Sequence, residues 1–308
     1  MNPHEKKLIV PRRLSPGDMV GIVAPASPFD RDLFYQGITE LHAMGYRTSI
    51  PPELFMANGY LAGSDLQRAQ LVNKFFADSS IKAIICAKGG FGSIRILPLL
   101  DYAVIRKNPK IFVGFSDITA LLVVFYLKCN LVTYHGPIIT TLGNSDQKTK
   151  DALTAALSSD EHIEMKISKG VTLQSGSVSG PVLAGNLTTL CHLMGTPYEP
   201  PLKGHILLLE DRGEAPYRLD RMMSQMKLAG CFEGLAGLVL GYFKSCGQEK
   251  EIHRIIKDIF ADHPLPILAG LEFGHGPTNI TIPIGLEATL DADRHALVFQ
   301  ASATMQAV

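Results

Sequence analysis

Short apolar segments that alternate with helical patterns most restrict how the first half of this chain can fold. Four segments are apolar along nearly their whole length, namely residues 19–24, 81–87, 111–113 and 131–134. Residues 31–44 and 65–76, which lie between them, have the apolar spacing of helices. Strands that are apolar on both faces must be covered on both faces, which is typical of a parallel sheet between helices. The first half therefore predicts an α/β domain.

A change in composition after residue 144 predicts where this domain ends. Residues 144–150 are polar, and residues 166–180 are rich in Ser, Gly and Thr. We expect an N-terminal domain over residues 1–165, a linker over residues 166–180 and a C-terminal domain over residues 181–308. Residues 281–299 alternate polar and apolar side chains around glycine and aspartate turns, which is typical of β-hairpins.

Composition and charge narrow the class of protein. Lys+Arg and Asp+Glu balance at 29 each, so no net charge favours nucleic acid or an acidic membrane surface. Residues 1–7 lack the apolar core of a signal peptide, and no apolar run is long enough to cross a membrane. The five cysteines form no CxxC pattern and no Cys/His cluster, so we expect neither structural zinc nor disulfides. A reducing cytoplasm fits this chain best.

A serine at the end of an apolar strand is the first candidate for chemistry. The run 111–113 leads into Gly114, Ser116 follows two positions later, and the apolar run 118–127 continues as a predicted helix. A serine at such a bend lies beside helix N-terminal N–H groups that can stabilise an oxyanion, which suits a nucleophile. The alternative is that Ser116 and Asp117 only cap the helix, since both residue types are preferred there.

Three neighbouring carboxylates are further candidates for a catalytic role. Glu210 ends the apolar run 206–209, and Asp211 and Glu214 follow it. Glu210 is favoured because α/β folds place functional groups at the carboxyl ends of buried strands. Strand alternation should turn Asp211 to the opposite face. Spacing alone does not choose among the three, and an ion pair with a nearby arginine is an equally simple explanation.

His275 is the best candidate for a general base among the ten histidines. Glycines on both sides give its backbone the freedom to present the imidazole in a turn. His135 is the one serious rival, because it also ends an apolar strand. A nucleophilic serine needs a base, and the base needs an orienting carboxylate. The order Ser116, Glu210, His275 satisfies these roles and places the site in a cleft between the two domains.

The glycine-rich loop 89–92 is a candidate for binding an anion or an oxyanion. It matches neither GxGxxG nor GxxxxGK[ST], so a phosphate-binding loop is not predicted. In a parallel sheet, this loop and the Ser116 turn can emerge side by side, which favours an oxyanion hole over phosphate binding. On the glycines alone, a plain flexible turn is an equally good explanation. The sequence has no HExxH motif and no carboxylate/His cluster with ligand spacing, so we expect no metal and no other cofactor.

Short motifs in a fixed order along nearly the whole chain resemble one known family, the LD-carboxypeptidases, which are serine peptidases. Those in the first half are Pro16-Gly17-Asp18, Ala24-Pro25-Ala26-Ser27, Leu61-Ala62-Gly63-Ser64-Asp65, Gly89-Gly90-Phe91-Gly92-Ser93 and Gly114-Phe115-Ser116-Asp117. Those in the second half are Gly185-Asn186-Leu187, Gly195-Thr196-Pro197, Leu209-Glu210-Asp211 and Phe273-Gly274-His275. The number and order of the motifs make the resemblance specific, whereas any one alone is weak.

The resemblance implies a role for each candidate residue. The implied roles are nucleophile for Ser116, orienting acid for Glu210, general base for His275, and oxyanion hole for the backbone N–H groups of Asp117 and of either Gly90 or Gly92. It also implies an α/β N-terminal domain, a smaller β-rich C-terminal domain and a homodimer. Lys88 departs from the pattern, since the family usually has arginine there. Lysine loses bidentate carboxylate binding, which puts a substrate-anchoring role for this position in doubt.

The function implied by the resemblance is that of a cytoplasmic serine carboxypeptidase in peptidoglycan recycling. It would release terminal D-alanine from murein tetrapeptide. One alternative is a microcin-C-type immunity peptidase that cleaves a peptidyl-nucleotide. Stacking a nucleobase favours an aromatic platform, and the chain has no tryptophan, which disfavours that alternative. An alternative of another class is a non-catalytic module that binds a peptide or a sugar. We expect no nucleic acid or membrane partner.

Overall fold

The computed structural model describes residues 7–306, whose strands form two sheets. The expectation that the N-terminus lacks a signal-peptide core concerns residues 1–7, and the first six of these lie outside the described residues. Within the described part, no helix combines the length and the apolar character that a bilayer span requires.

The first sheet contains five parallel strands and one antiparallel edge strand. In chain order they are β1 (Met19–Val23), β2 (Arg47–Ser49), β3 (Ile81–Cys86), β4 (Ile111–Gly114), β5 (Thr133–His135) and β12 (Ile282–Ile284). Their spatial order is β12-β5-β4-β3-β1-β2, and β12 runs antiparallel to β5. The central strands are buried along nearly their whole length, as expected for a parallel sheet covered on both faces.

Four of the helices in the first half begin at a polar side chain that caps them. The helices of this half are α1 (Arg31–Ala43), α2 (Asp65–Ala77), α3 (Ser93–Ile96), α4 (Tyr102–Lys107), α5 (Thr119–Cys129), α6 (Ile139–Leu142) and α7 (Gln147–Ser158), with 3₁₀ turns at Pro52–Phe55, Leu97–Leu99 and Ser116–Ile118. The four capped helices are α1, α2, α4 and α7. Asp30 accepts a hydrogen bond from Leu33 N at the start of α1, and Ser64 and Gln67 form a capping box at the start of α2.

The second sheet mixes parallel and antiparallel strands. Its strands are β6 (His162–Lys166), β7 (Val171–Gln174), β8 (Ser177–Asn186), β9 (Ile206–Arg212), β10 (Gly237–Lys244), β11 (Ile267–Ala269), β13 (Glu287–Asp291) and β14 (Ala296–Ser302), and its helices are α8 (Leu187–Leu193), α9 (Pro216–Leu228) and α10 (Glu249–Ile259). Strands β8 to β11 are parallel, and antiparallel strands extend the sheet on both sides. The expected fold class, a parallel-sheet α/β domain followed by a β-rich domain, is confirmed.

Helix α5 lies between the two sheets, which explains why it is apolar around its whole circumference. It packs against β4 and β5 on one side and against β8 and α8 on the other. Thr119 Oγ1, in its first turn, accepts a hydrogen bond of 3.0 Å from Asn186 N at the end of β8. A Cβ atom on Gly185 would lie 2.2 Å from Thr119 Cγ2, so the approach needs glycine. These contacts bring the carboxyl ends of the two sheets together.

The segment expected to be a linker contains strands instead. Residues 166–180 include β7 and the first part of β8, and β6 ends within this segment at Lys166. These strands are largely exposed, so their Ser, Gly and Thr content reflects the outer parts of a sheet rather than a flexible connection. We propose that the second domain begins near His162. Residues 282–284 also differ from the expected hairpin, because β12 returns to the first sheet and only β13 and β14 pair as a hairpin.

Candidate active site

Ser116 lies at a strained bend between β4 and α5. Its φ is 64°, in the left-handed region that costs a non-glycine residue about 1 kcal/mol or more. Phe115 before it is extended, and the 3₁₀ turn Ser116–Ile118 leads directly into α5. A Cβ atom on Gly114 would lie 2.5 Å from Ile118 Cγ2, so the turn closes too tightly for any residue but glycine there. The local sequence thus holds the serine in an unusual backbone conformation, in which it is half-buried.

A cavity of about 680 Å³ opens at the carboxyl ends of the two sheets, and we call it the Ser116 cavity. Its lining includes Gly90, Ser116, Asp211, Arg212, Lys244 and His275. The cavity therefore brings together the loop after β3, the turn after β4, the ends of β9 and β10, and the turn that carries His275.

The glycine loop after β3 lies directly against Ser116. A Cβ atom on Gly89 would lie 3.0 Å from Ser116 Cβ and 3.3 Å from Ser116 Oγ. Gly90 has a φ of 104°, and a Cβ atom there would lie 2.4 Å from Ser27 Oγ. Gly90 lines the Ser116 cavity, whereas Gly92 is buried and is not part of its lining. Of the two candidate oxyanion glycines, Gly90 is thus the one that lines the same cavity as the serine.

The turn at Ser116 is tied to the glycine loop through Asp117. Ser93, which begins α3 just after this loop, donates its backbone N–H to Asp117 Oδ2 at 2.8 Å, and its hydroxyl donates to Asp117 O. Both residues are buried. Because these bonds join the loop after β3 to the turn after β4, they hold the two backbones that surround Ser116 in a fixed relation.

His275 and Glu210 form a close pair behind the cavity. The Nδ1 atom of His275 lies 2.6 Å from Glu210 Oε2, and the backbone N–H of His275 donates to the same oxygen at 3.1 Å. Glu210 is wholly buried near the end of β9, while the His275 side chain is 12% exposed. The His275 ring centroid lies 4.9 Å from that of Phe115, the neighbour of Ser116. The carboxylate thus holds one ring nitrogen and leaves Nε2 available.

Gly274 makes this pair possible. Its φ is 93°, and a Cβ atom on it would lie 2.4 Å from Glu210 Oε2. Its backbone N–H donates to Asn279 Oδ1 at 2.8 Å, which closes the turn around His275. The glycine before the histidine is therefore needed both for its conformation and for its lack of a side chain.

Asn186 and Asp211 support Glu210, and neither role was foreseen from the sequence. Asn186 Nδ2 donates to Asp211 Oδ1 at 3.0 Å and to Glu210 Oε1 at 3.3 Å. Burial raises the pKa of Asp211, although hydrogen bonds from Arg212 and Thr188 act against this. Strand alternation predicted that Glu210 and not Asp211 pairs with His275, and the hydrogen bonds of His275 agree, although both carboxylates also accept a bond from the Asn186 amide. An asparagine that ends a neighbouring strand was the available signal.

The other two candidates from the sequence have different surroundings. Glu214 forms an ion pair of 3.5 Å with Arg218 in the loop that leads into α9. His135 is wholly buried between the rings of Phe115 and Phe273, at centroid distances of 5.8 and 5.2 Å. Burial, aided by the nearby His275, lowers the pKa of His135 to about 3. A buried histidine with so low a pKa is a poor general base near neutral pH.

The described residues provide no cluster of three or more His, Cys, Asp or Glu side chains arranged to hold a metal ion. The cysteines at positions 86, 129, 191, 231 and 246 are free thiols. What the site does contain is a serine, a histidine and a buried carboxylate around one cavity. This set can support proton transfer to and from a nucleophile.

Comparisons with known proteins cover almost the whole chain. The family model for the LD-carboxypeptidase N-terminal domain matches residues 20–136, and that for the LD-carboxypeptidase C-terminal domain matches residues 179–290. The chain is 34% identical over 300 residues to the probable murein peptide carboxypeptidase of Bacillus subtilis, with 94% of each protein covered. It is 31% identical over 289 residues to the murein tetrapeptide carboxypeptidase of Pseudomonas aeruginosa, with 89% of this chain and 94% of the relative covered.

A solved structure agrees with the fold described above. The MccF-like protein from Bacillus anthracis matches with a TM-score of 0.90 at 27% sequence identity. The match covers 95% of this chain and 99% of that protein. Both sheets therefore belong to an architecture that has been observed experimentally.

Proposed function

Because the chain belongs to the LD-carboxypeptidase family of peptidases, we propose that it is a serine carboxypeptidase that releases terminal D-alanine from murein tetrapeptide. The observation that carries this proposal is the Glu210–His275 pair at 2.6 Å beside the cavity that holds Ser116. The names of the two murein peptidases similar to this chain support the substrate.

In the proposed reaction, Ser116 Oγ attacks the carbonyl carbon of the bond before D-alanine. His275 Nε2 takes the serine proton and then gives it to the departing amine of D-alanine. Glu210 keeps the Nδ1 proton in place and stabilises the imidazolium that forms. Water then hydrolyses the acyl-enzyme by the same proton transfers in reverse, which frees the shortened peptide.

We propose that the backbone N–H groups of Asp117 and Gly90 stabilise the tetrahedral oxyanion. The lining of the Ser116 cavity supports Gly90 over Gly92, because it includes Gly90, and because a Cβ atom on Gly89, the residue before it, would lie 3.3 Å from Ser116 Oγ. Each such donor contributes about 3 kcal/mol in other serine hydrolases. The bonds from Ser93 to Asp117 support rigid placement of both donors.

Location and assembly are also part of the proposal. We propose that the protein acts in the cytoplasm as a homodimer, as the family resemblance implies. Light scattering of the purified protein measures the assembly directly. A mass of one chain at the concentrations used for activity assays would contradict the dimer without affecting the proposed reaction.

A microcin-C-type immunity peptidase is the second candidate function. The fold shared with the MccF-like protein favours it, whereas the absence of tryptophan from the chain does not. The deciding experiment incubates the protein separately with murein tetrapeptide and with a peptidyl-nucleotide and measures free D-alanine and free nucleotide. We expect D-alanine alone. Release of nucleotide alone favours the immunity peptidase, and neither product, with intact binding of the peptide, favours a non-catalytic module.

A further inference from the structure

Two neighbouring cationic residues, Arg212 and Lys244, line the Ser116 cavity. Arg212 ends β9 and Lys244 ends β10, and the two residues are partners in the pairing of these strands. The backbone N–H of Gly213 donates to Lys244 O at 2.9 Å, which fixes the two strand ends relative to each other. The sheet therefore sets the backbone positions of both residues, and both are exposed.

Neither cation has a carboxylate partner within residues 7–306. The carboxylates around them are already engaged: Asp211 accepts hydrogen bonds from neighbouring donors, and Glu214 pairs with Arg218. Two adjacent cations repel each other unless an anion lies between or beside them. Because both line the cavity that holds Ser116, the anion they fit is one that the substrate brings.

A second cavity adjoins the first at this point. Its volume is about 1020 Å³, and it lies between α7, β6, β10 and α10. Lys244, Gly276 and Pro277 line both cavities, so the two cavities adjoin each other at the lysine. The leaving group, D-alanine, is small, whereas the acyl part that stays on Ser116 is a tripeptide. The larger cavity suits the acyl part.

We propose that Arg212 and Lys244 bind a carboxylate of the substrate and thereby select peptides that carry it. The inference rests on the proposed murein peptidase function. On the acyl side, the carboxylate that fits is the side-chain carboxylate of diaminopimelate next to the scissile bond, which lysine and amidated diaminopimelate lack. The planar guanidinium can bind it through two hydrogen bonds, and the ammonium adds a point charge.

The test compares kcat/KM on matched tetrapeptides with free diaminopimelate, amidated diaminopimelate or lysine in the third position. A fourth peptide carries free diaminopimelate but ends in D-alaninamide, which separates the terminal carboxylate from the acyl-side one. The proteins are the unchanged chain, Arg212→Gln, Lys244→Met and the double variant. Lys250→Met is the matched control, because this exposed lysine lines neither cavity.

We expect the unchanged protein to prefer the free carboxylate by about tenfold, the low end for charge-assisted bonds at an exposed site. The double variant should lose this preference through a higher KM with kcat nearly unchanged, and Lys250→Met should keep it. The preference should also shrink at about 1 M salt, where the screening length falls to about 3 Å. Loss of discrimination only between the terminal acid and the terminal amide would assign the same cations to the D-alanine carboxylate.

Other outcomes overturn the inference in distinguishable ways. The inference is wrong if the double variant retains the full preference, or if it loses activity equally on all four peptides. In either case these cations do not recognise a carboxylate of the substrate, while the proposed peptidase function stands. If the unchanged protein releases D-alanine from none of the peptides, the proposed function itself fails and the inference fails with it.

Discussion

Replacing Glu210 by glutamine tests the proposed catalytic arrangement most sharply among single substitutions. The carboxylate is wholly buried and accepts three hydrogen bonds, two from His275 and one from Asn186. An amide has one oxygen and one NH₂ group, so in either orientation it sets its NH₂ group against a donor. The 3.3 Å bond from Asn186 is the longest of the three, and Asn186 can keep its bond to Asp211.

The expected loss follows from the two orientations of the amide. If its oxygen faces His275, the histidine keeps its proton on Nδ1, but the charge that stabilises the imidazolium is gone. At about 4 Å and an effective dielectric constant of about 20, that attraction amounts to about 4 kcal/mol, or a factor of about 10³. If its NH₂ group faces His275, the wrong tautomer forms, and in other serine triads that costs about 10⁴ in kcat. We therefore expect kcat to fall by about 10³ to 10⁴.

The assay measures D-alanine release under saturating and limiting murein tetrapeptide, so that kcat and KM separate. KM should change little, because Glu210 touches His275 and not the substrate. Glu214→Gln is the matched control and should keep kcat within about threefold, since its surface ion pair contributes little. The argument is refuted if folded Glu210→Gln retains kcat within tenfold, or if Glu214→Gln is equally damaging.

Three further predictions concern the turn, the buried histidine and cofactors. Gly274→Ala should lower kcat strongly, because its Cβ would lie 2.4 Å from Glu210 Oε2, whereas Gly213→Ala meets nothing within 4 Å and should cost only backbone strain of about 1 kcal/mol. The pKa of His135 is about 3 in the folded protein and about 6.5 in the unfolded chain. Between pH 3 and pH 6.5 the unfolded state therefore binds more protons than the folded state. The free energy of unfolding should fall below pH 6.5 by up to about 1.36 kcal/mol per pH unit. His135→Phe should reduce this decrease of the free energy of unfolding at acid pH, as measured by denaturation curves. The substitution of an exposed histidine, His162→Phe, should not. Activity should survive exhaustive EDTA treatment, since serine chemistry needs no Lewis acid.

Each of these predictions has a result that contradicts it. Equal losses of kcat in Gly274→Ala and Gly213→Ala would show that backbone strain alone, and not contact with Glu210, explains the effect. If the free energy of unfolding of His135→Phe falls at acid pH as steeply as that of the unchanged protein, other groups, such as the buried His205, dominate this pH dependence. Loss of activity in EDTA with recovery on addition of Zn²⁺ would reject the serine mechanism.

The first sheet and its helices follow from local patterns in the sequence. The apolar run 111–113 corresponds to β4 (Ile111–Gly114), and the helical pattern over residues 31–44 corresponds to α1 (Arg31–Ala43). Agreement is close because these strands are buried on both faces, so each residue must be apolar, and because the helix has a polar cap at its start. Both signals depend on neighbouring residues and are visible without the rest of the chain.

The structure differs from the sequence-based expectations where pairing is long-range. Strand β6 pairs with β14, and β12 pairs with β5, so their partners lie more than a hundred residues away. Exposed strands of this kind have polar composition, which is why residues 166–180 resemble a linker. The Glu210 contact with His275 could be anticipated, because Glu210 follows a buried apolar run and a general base needs an orienting carboxylate. The support from Asn186 was missed although this residue ends an apolar run, because its position opposite Glu210 depends on how β8 and β9 align.

The most direct test of the central claim is labelling by a serine-directed fluorophosphonate, with the modified residue located by peptide mass spectrometry. The account predicts a single phosphonyl adduct on Ser116, formed much more slowly in His275→Gln because the base is missing, and absent from Ser116→Ala. Ser245 is an internal comparison, since it also has a left-handed φ of 58° but lies outside the lining of the Ser116 cavity. An adduct on another residue, or no adduct in a protein that releases D-alanine, would contradict the assignment of Ser116 as the nucleophile.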